Sequence, residues 1–295
     1  MGHSIRILFF GYSQLGYDAV QFLNRTYHLV GVVTHLPNSG YTEPFPLVSD
    51  YAKQHNIPVF TPSQPDLGTF TQTFRDLAPD LILSVYYRYL IPVEILQIPT
   101  LGAYNMHGSY LPHFRGCAPI NWAIIKGAKT TGVTLHEMVA KPDAGAIIDQ
   151  RSCSIDLDDT AGMLSEKMRP LSLDILKAAL PQIINGTCVK QSLDVKQGSY
   201  FGRRTPKDGC IDPKVQTAQQ VRDLVRALQP ATHYPPAYLE TPAGHLLIHD
   251  VSVASEPPAL KLHENIPHVY TDTEGALWVS CLDDTWVKIN RSTQN

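Results

Sequence analysis

Apolar residues run without alternation over residues 5–10, interrupted only by Arg6, which predicts a strand buried on both faces. Residues 11–16 then read as a turn between two glycines, and 18–24 carry helix-spaced apolar side chains (Ala19, Phe22, Leu23). A second buried strand is predicted over 29–33. Strand, helix and strand in this order make a right-handed parallel unit. The alternation continues with a short helix over 48–55, a strand over 57–60, a helix over 67–77 and a β-rich run over 80–85. Such alternation predicts a doubly wound α/β sheet.

From Val133 the pattern changes. Strands are predicted over 133–139 and 146–155, and the segment Lys141-Pro142-Asp143-Ala144-Gly145 between them has the punctuation of a hairpin. A helix follows over 160–180, with Asp158 or Asp159 as its N-cap. Beyond Gly186 a polar connector over 191–212 leads to a helix over 217–228. Short strands then follow at 237–240, 245–253, 269–270, 276–281 and 286–290. Short strands at this spacing predict a small barrel.

Composition narrows the partners. The 295 residues are about two domains' worth of chain, and 43% apolar with 17% charged residues describes a globular protein. A net charge of −3 supplies no broad basic surface for a nucleic-acid backbone. No apolar run approaches a membrane span, and the first residues open directly into a strand, so no membrane and a cytoplasmic location are expected. Five widely separated cysteines without a C-x-x-C pair, and histidines without ligand spacing, argue against disulfides and a metal centre. The 23 prolines predict many loops and turns.

Two regions could carry chemistry. The segment Gly11-Tyr12-Ser13-Gln14-Leu15-Gly16 joins a strand to a helix, a context for binding an anion, or it is simply a tight turn. It lacks the middle glycine of a dinucleotide fingerprint, and Thr34-His35 stand where that fingerprint needs an acid, which argues against a nicotinamide cofactor. The densest polar cluster spans 104–119. If 102–107 is extended, Asn105 and His107 project to one face, placing an amide donor beside an imidazole base. Each could equally be satisfied by backbone. Asp143, at the hairpin tip, is a turn residue or the acid that orients such a histidine.

These residues resemble a known family. The blocks Asn105-x-His107-Gly108-Ser109-x-Leu111-Pro112-x-x-Arg115-Gly116-x-Ala118-Pro119-x-x-Trp122-Ala123-Ile124, Thr131-Gly132-Val133-Thr134 and Asp143-Ala144-Gly145 resemble the 10-formyltetrahydrofolate-dependent formyltransferases. Segments 84–91, 94–97 and 201–208 (Phe-Gly-Arg-Arg-Thr-Pro-Lys-Asp) are similar to the formyltransferase portion of the bifunctional polymyxin-resistance enzymes, which formylate UDP-4-amino-4-deoxy-L-arabinose. The resemblance implies an α/β Rossmann-like catalytic domain with a mostly parallel sheet over 1–190, a linker over 191–212 and a small OB-like barrel domain over 213–295. It implies a stand-alone enzyme of lipopolysaccharide chemistry that formylates a UDP- or dTDP-linked amino sugar. Methionyl-tRNA formyl transfer, or a catalytically silent folate- or nucleotide-binding homologue, are the alternatives.

By position, Asn105 would stabilise the oxyanion, His107 would act as base or proton shuttle, and Asp143 would strengthen that base. The co-substrate 10-formyltetrahydrofolate would lie along Tyr89, Leu90, Ile91, Val139, Ala140, Lys141, Pro142 and Asp143, with no metal. Arg203 and Arg204 would hold the diphosphate of a small nucleotide sugar. No nucleic-acid partner is implied, and any self-association would give a homodimer. The chain departs from its relatives in Cys117, where they carry a cofactor-contacting Arg, and in Thr232-His233-Tyr234-Pro235-Pro236, where they carry Pro-Trp-Pro-Gly. No counterpart of their dehydrogenase and decarboxylase domain is expected.

Overall fold

Ile7, Leu8, Phe9 and Phe10 are wholly buried, and so are Leu81, Ile82 and Leu83. Strands without a polar face must lie inside a sheet covered on both sides. A computed structural model describes residues 4–37, 43–230, 236–263, 266 and 268–294, and places them so. Of the departure at 232–236, only Pro236 lies within the described residues.

The elements, in chain order, begin with β1 (Arg6–Gly11), α1 (Ser13–Thr26), β2 (His28–Val33), α2 (Val48–Gln54), β3 (Val59–Phe60), α3 (Thr71–Asp76), β4 (Leu81–Val85), α4 (Val93–Leu96) and β5 (Ala103–His107). Next come β6 (Arg115–Gly116), α5 (Pro119–Ile125), β7 (Thr130–Glu137), β8 (Ile147–Ser154), α6 (Ala161–Ile184), β9 (Tyr200–Phe201) and α7 (Ala218–Ala227). The last are β10 (Ala237–Thr241), β11 (Gly244–Ala254), β12 (Leu260–Leu262), β13 (Val269–Asp272), β14 (Leu277–Ser280) and β15 (Trp286–Gln294).

These elements form two compact units interleaved along the chain. One comprises Met1–Gly116, Gly132–Cys153 and Glu166–Tyr200; the other comprises Cys117–Thr131, Ser154–Ser165 and Phe201–Asn295.

The first unit is built on a seven-stranded sheet of order β3-β2-β1-β4-β5-β7-β8. It is parallel from β3 through β5 and turns antiparallel at β5–β7. The expected Rossmann-like, mostly parallel sheet is thus present. Two local expectations change. The segment between Gly11 and Gly16 is not a turn, because β1 runs to Gly11 and α1 starts at Ser13. Gly16 is instead a packing residue: a Cβ there would lie 3.2 Å from the Gly11 carbonyl carbon and 3.3 Å from the Val85 oxygen. The helix expected over 67–77 divides into a 3₁₀ turn, Leu67–Phe70, and α3. Phe74 of α3 is wholly buried and packs edge-on against Phe10 and Phe60.

The second unit holds a six-stranded antiparallel sheet of order β10-β11-β15-β14-β13-β12. The helix α7 lays Val221, Leu224 and Val225 into a core with Ile248, Val269, Val279 and Val287. Its start is fixed by a capping box, with Thr217 Oγ1 accepting from Gln220 N–H and Gln220 Oε1 accepting from Thr217 N–H. Against α7 packs α5, whose Asn121 Nδ2 donates to Ala227 O at 2.6 Å. The strand β12 was not expected. The N-cap of α6 is Thr160, whose Oγ1 accepts from Met163 N–H, rather than Asp158 or Asp159; Asp159 Oδ2 is taken by Asp156 N–H. No helix among the described residues is long and apolar enough to cross a membrane.

Candidate active site

Because side chains alternate along a strand, Asn105 and His107 of β5 share a face. The antiparallel partner β7 is registered so that His136 stands opposite Asn105 and Thr134 opposite His107. Four polar side chains therefore meet on one face of two adjacent strands, and His107, Thr134 and His136 are buried there.

The loop after β5 is tied over this face by named bonds. Thr134 Oγ1 donates to Ser109 O and accepts from Leu111 N–H, while Gln150 Nε2 donates to Leu111 O. Ser109 Oγ donates to His113 O, and Phe114 N–H donates to Ser199 Oγ. Arg115 is anchored through its N–H to Ser199 O and its guanidinium to Val195 O. This leaves two loop backbone groups aimed at the site. The Phe114 carbonyl accepts from His107 Nε2 at 2.9 Å, and Gly116 N–H donates to Asp143 Oδ2 at 2.7 Å.

Asp143 adopts a left-handed backbone, φ 49°, in the segment between β7 and β8, a conformation aspartate tolerates better than most residues. Its Oδ1 lies 3.6 Å from His107 Nδ1 and 3.5 Å from His136 Nε2, with 13% of the side chain exposed. Burial alone would push this carboxyl up. Once protonated in acid, the ring of His107 attracts the carboxylate by charge and that of His136 by hydrogen bond and charge; with the Gly116 N–H they outweigh burial and hold it well below the usual carboxylate range. Asp143 is thus ionised at neutral pH.

The ring roles follow from chemistry. A carbonyl only accepts, so His107 carries hydrogen on Nε2, which leaves Nδ1 as the ring nitrogen beside Asp143. The expected trio is brought together, Asn105 through a 3.3 Å contact of its Nδ2 with His136 Nε2. His136 was not anticipated. Its signal was the strand pattern of 133–139 laid antiparallel against 103–107, which puts position 136 opposite position 105.

The remaining expected residues are distributed more widely. Beyond β4, Tyr89 joins an aromatic cluster at the carboxyl ends of β1, β2 and β4. His35 stacks on Tyr87 at 4.4 Å, Tyr12 and Tyr89 pack edge-on to it, and the Arg88 guanidinium sits 4.0 Å over the Tyr12 ring. Burial, then the Arg88 charge, lowers His35 to about 4, and Arg88 N–H donates to its Nε2. Strand ends where a doubly wound sheet reverses its order are ligand crevices. Leu90 is exposed and Ile91 leans on the core of the first unit. Val139, Ala140 and Lys141 are exposed and lie past the end of β7, which stops at Glu137 rather than 139; Pro142 is half-buried. Arg203 and Arg204 belong to the second unit, the first exposed and the second buried. Cys117 is exposed with a free thiol.

Comparison with known proteins places this arrangement. Residues 15–180 match the model described as formyl transferase, and 203–295 match the formyl transferase C-terminal domain. The chain is 38% identical over 226 residues to the bifunctional polymyxin resistance protein ArnA of Wigglesworthia glossinidia brevipalpis. That stretch is 76% of this chain and 34% of ArnA, so the chain spans about a third of the relative's length.

Two solved structures share the fold. WlaRD, a sugar 3N-formyl transferase crystallised with dTDP and 5-N-formyl-THF, superposes with a TM-score of 0.68 at 21% identity, covering 98% of this chain and 100% of its own. The N-formyltransferase of Helicobacter canadensis, in complex with folinic acid and dTDP-3-aminofucose, gives 0.73 at 19% identity with the same coverage. The polar face of β5 and β7 closed by Asp143 therefore sits in a chain that belongs to the formyl transferase family.

Proposed function

We propose that this chain moves the formyl group of 10-formyltetrahydrofolate onto the amine of a nucleotide-linked amino sugar, UDP-4-amino-4-deoxy-L-arabinose or a related UDP- or dTDP-amino sugar. The observation that carries the reading is an ionised Asp143 set 3.6 Å from His107 on a face that also holds Asn105. An amide donor, an imidazole and a fixed counter-charge are what acyl transfer to an amine requires. The likeness to ArnA and to transferases solved with dTDP-sugar and folate compounds supports the substrate classes.

In this reaction the uncharged sugar nitrogen bonds to the formyl carbon and the carbonyl electrons move to oxygen. Asn105 Nδ2–H stabilises that oxygen. His107 accepts the proton leaving the sugar nitrogen at Nδ1, since its Nε2–H is committed to Phe114 O, and anionic Asp143 stabilises the imidazolium. When the carbonyl re-forms and the bond to N10 breaks, His107 returns its proton to N10. Tyr89, Leu90, Ile91 and 139–143 are assigned to the folate. Arg203 and Arg204 are assigned to the diphosphate. We assign catalysis to 1–190, a linking role to 191–212 and the small domain to 213–295, with 117–131 and 154–165 packing into the second unit although they lie within the catalytic stretch. We assign the reaction to the cytoplasm, where the five free thiols are at home.

The test is a mass-spectrometric screen of UDP- and dTDP-amino sugars with 10-formyltetrahydrofolate. A gain of one formyl group that His107→Ala abolishes is expected. Formylation of methionyl-tRNA instead, or no turnover of any amino sugar, would overturn the reading.

A further inference from the structure

The proposed chemistry leaves one buried titratable side chain of the site without a task. His136 is 2% exposed and stands directly across the strand pair from Asn105. We infer that His136 is a positioning residue: its neutral Nε2 holds the Asn105 amide so that the second N–H of Nδ2 is presented to the formyl oxygen. This rests on the reading of Asn105 as the oxyanion donor.

The tautomer is set by the backbone. His136 Nδ1 lies 2.8 Å from the carbonyl oxygen of Glu137, which can only accept, so Nδ1 carries the hydrogen. The neutral ring then has its lone pair on Nε2, 3.3 Å from Asn105 Nδ2 and 3.5 Å from Asp143 Oδ1. A lone pair there accepts an N–H and repels an oxygen. It therefore fixes which end of the carboxamide faces β7. One of the two Nδ2 hydrogens is used in this bond and the other remains for the reaction.

A proton on Nε2 would reverse the preference. The ring would then donate to Asp143 and present N–H against N–H to Asn105, favouring the flipped amide with Oδ1 towards the histidine. The neutral, Nδ1-protonated ring is thus the form that keeps the oxyanion donor in place. A histidine that merely fills this face would be indifferent to the distinction.

Three measurements separate the two roles. In formylation of UDP-4-amino-4-deoxy-L-arabinose, or of whichever amino sugar the screen identifies, H136L should lower kcat by about 10²- to 10³-fold. KM should stay within about threefold of wild type. H136Q supplies an acceptor oxygen without titrating and should recover at least about tenfold of that loss. In an N105A background H136L should have almost no further effect, because the two act as one unit. Long-range nitrogen NMR on the wild-type protein, with the His136 signals assigned by their loss in H136Q, should show a neutral ring protonated on Nδ1.

Equal loss from H136L in both backgrounds, H136Q as slow as H136L, or a ring protonated on Nε2 would each overturn the proposal. The NMR result holds whether or not the amino-sugar reading survives. An inactive wild type with an Nδ1-protonated His136 would sink the reaction assignment and leave the arrangement standing.

Discussion

Replacing Asp143 with asparagine removes a charge and little else. Asparagine has the same shape, tolerates the left-handed φ of 49° at this position, and keeps an oxygen for Gly116 N–H. What disappears is the field on His107. At the observed 3.6 Å and an effective dielectric of about 20, a full charge pair is worth about 4–5 kcal/mol. That interaction exists only while the imidazole holds the transferred proton, so its loss falls on the barrier. At 1.36 kcal/mol per factor of ten, kcat should drop by about three orders of magnitude. The assay is a continuous measurement of tetrahydrofolate release under saturating sugar nucleotide, with circular dichroism to confirm the fold. A folded Asp143→Asn variant with kcat within about tenfold of wild type would refute the reasoning, since the electrostatic term would then be far smaller than the geometry implies. A loss confined to the KM of the folate would move Asp143 from the chemistry to binding.

Other outcomes follow from particular contacts. Because the Asp143 carboxyl is held down in the folded state, the unfolded chain takes up that proton first. The stabilisation is complete above the ordinary carboxylate range and is lost as pH falls towards the folded value. Denaturant titrations should therefore show wild type losing stability more steeply than Asp143→Asn below about pH 5; parallel slopes would contradict it. A Cβ at Gly198 would lie 1.9 Å from the Pro112 carbonyl oxygen, backbone against backbone. Gly198→Ala should cost about 1–3 kcal/mol in thermal unfolding and also lower kcat, since Pro112 belongs to the loop that carries the Phe114 carbonyl. Thr217→Ala removes one half of the α7 capping box and should lower stability by about 1 kcal/mol without touching turnover. The double variant Arg203→Ala with Arg204→Ala should raise the sugar-nucleotide KM at unchanged kcat, and an unchanged KM would end the diphosphate assignment.

Much of the first unit could be read from the chain because its strands are buried on both faces. Residues 7–10 and 81–83 are apolar without alternation, and their shortness and flanking turn residues mark them as strands rather than helices. Period-two alternation likewise put Asn105 beside His107 before any contact was known. What stayed hidden depends on which strand lies against which. His136 acquires its role only through the antiparallel β5–β7 register, and His35 only because the ends of β1, β2 and β4, at residues 11, 33 and 85, come together. Gly16 misled for a different reason: glycine marks a close backbone approach as readily as a turn, and composition does not distinguish the two. The strand β12 is a half-exposed Leu-Lys-Leu whose pairing with β13 rather than its own pattern makes it a strand.

The interleaving of the two units bears on how the chain could be taken apart. The second unit draws α5 from residues near 120 and a further stretch from 154–165, so most of its sequence, but not all of its core, follows residue 200. A fragment beginning there would keep α7 and the whole antiparallel sheet yet lose Ile125 and the Asn121 amide that bonds the Ala227 carbonyl. Such a piece would expose an uncapped helix end and a bare strip of α7, and would be prone to self-association. Swaps of the carboxyl-terminal region between relatives should therefore carry the α5 segment with them, as a transplant taken in two pieces rather than one.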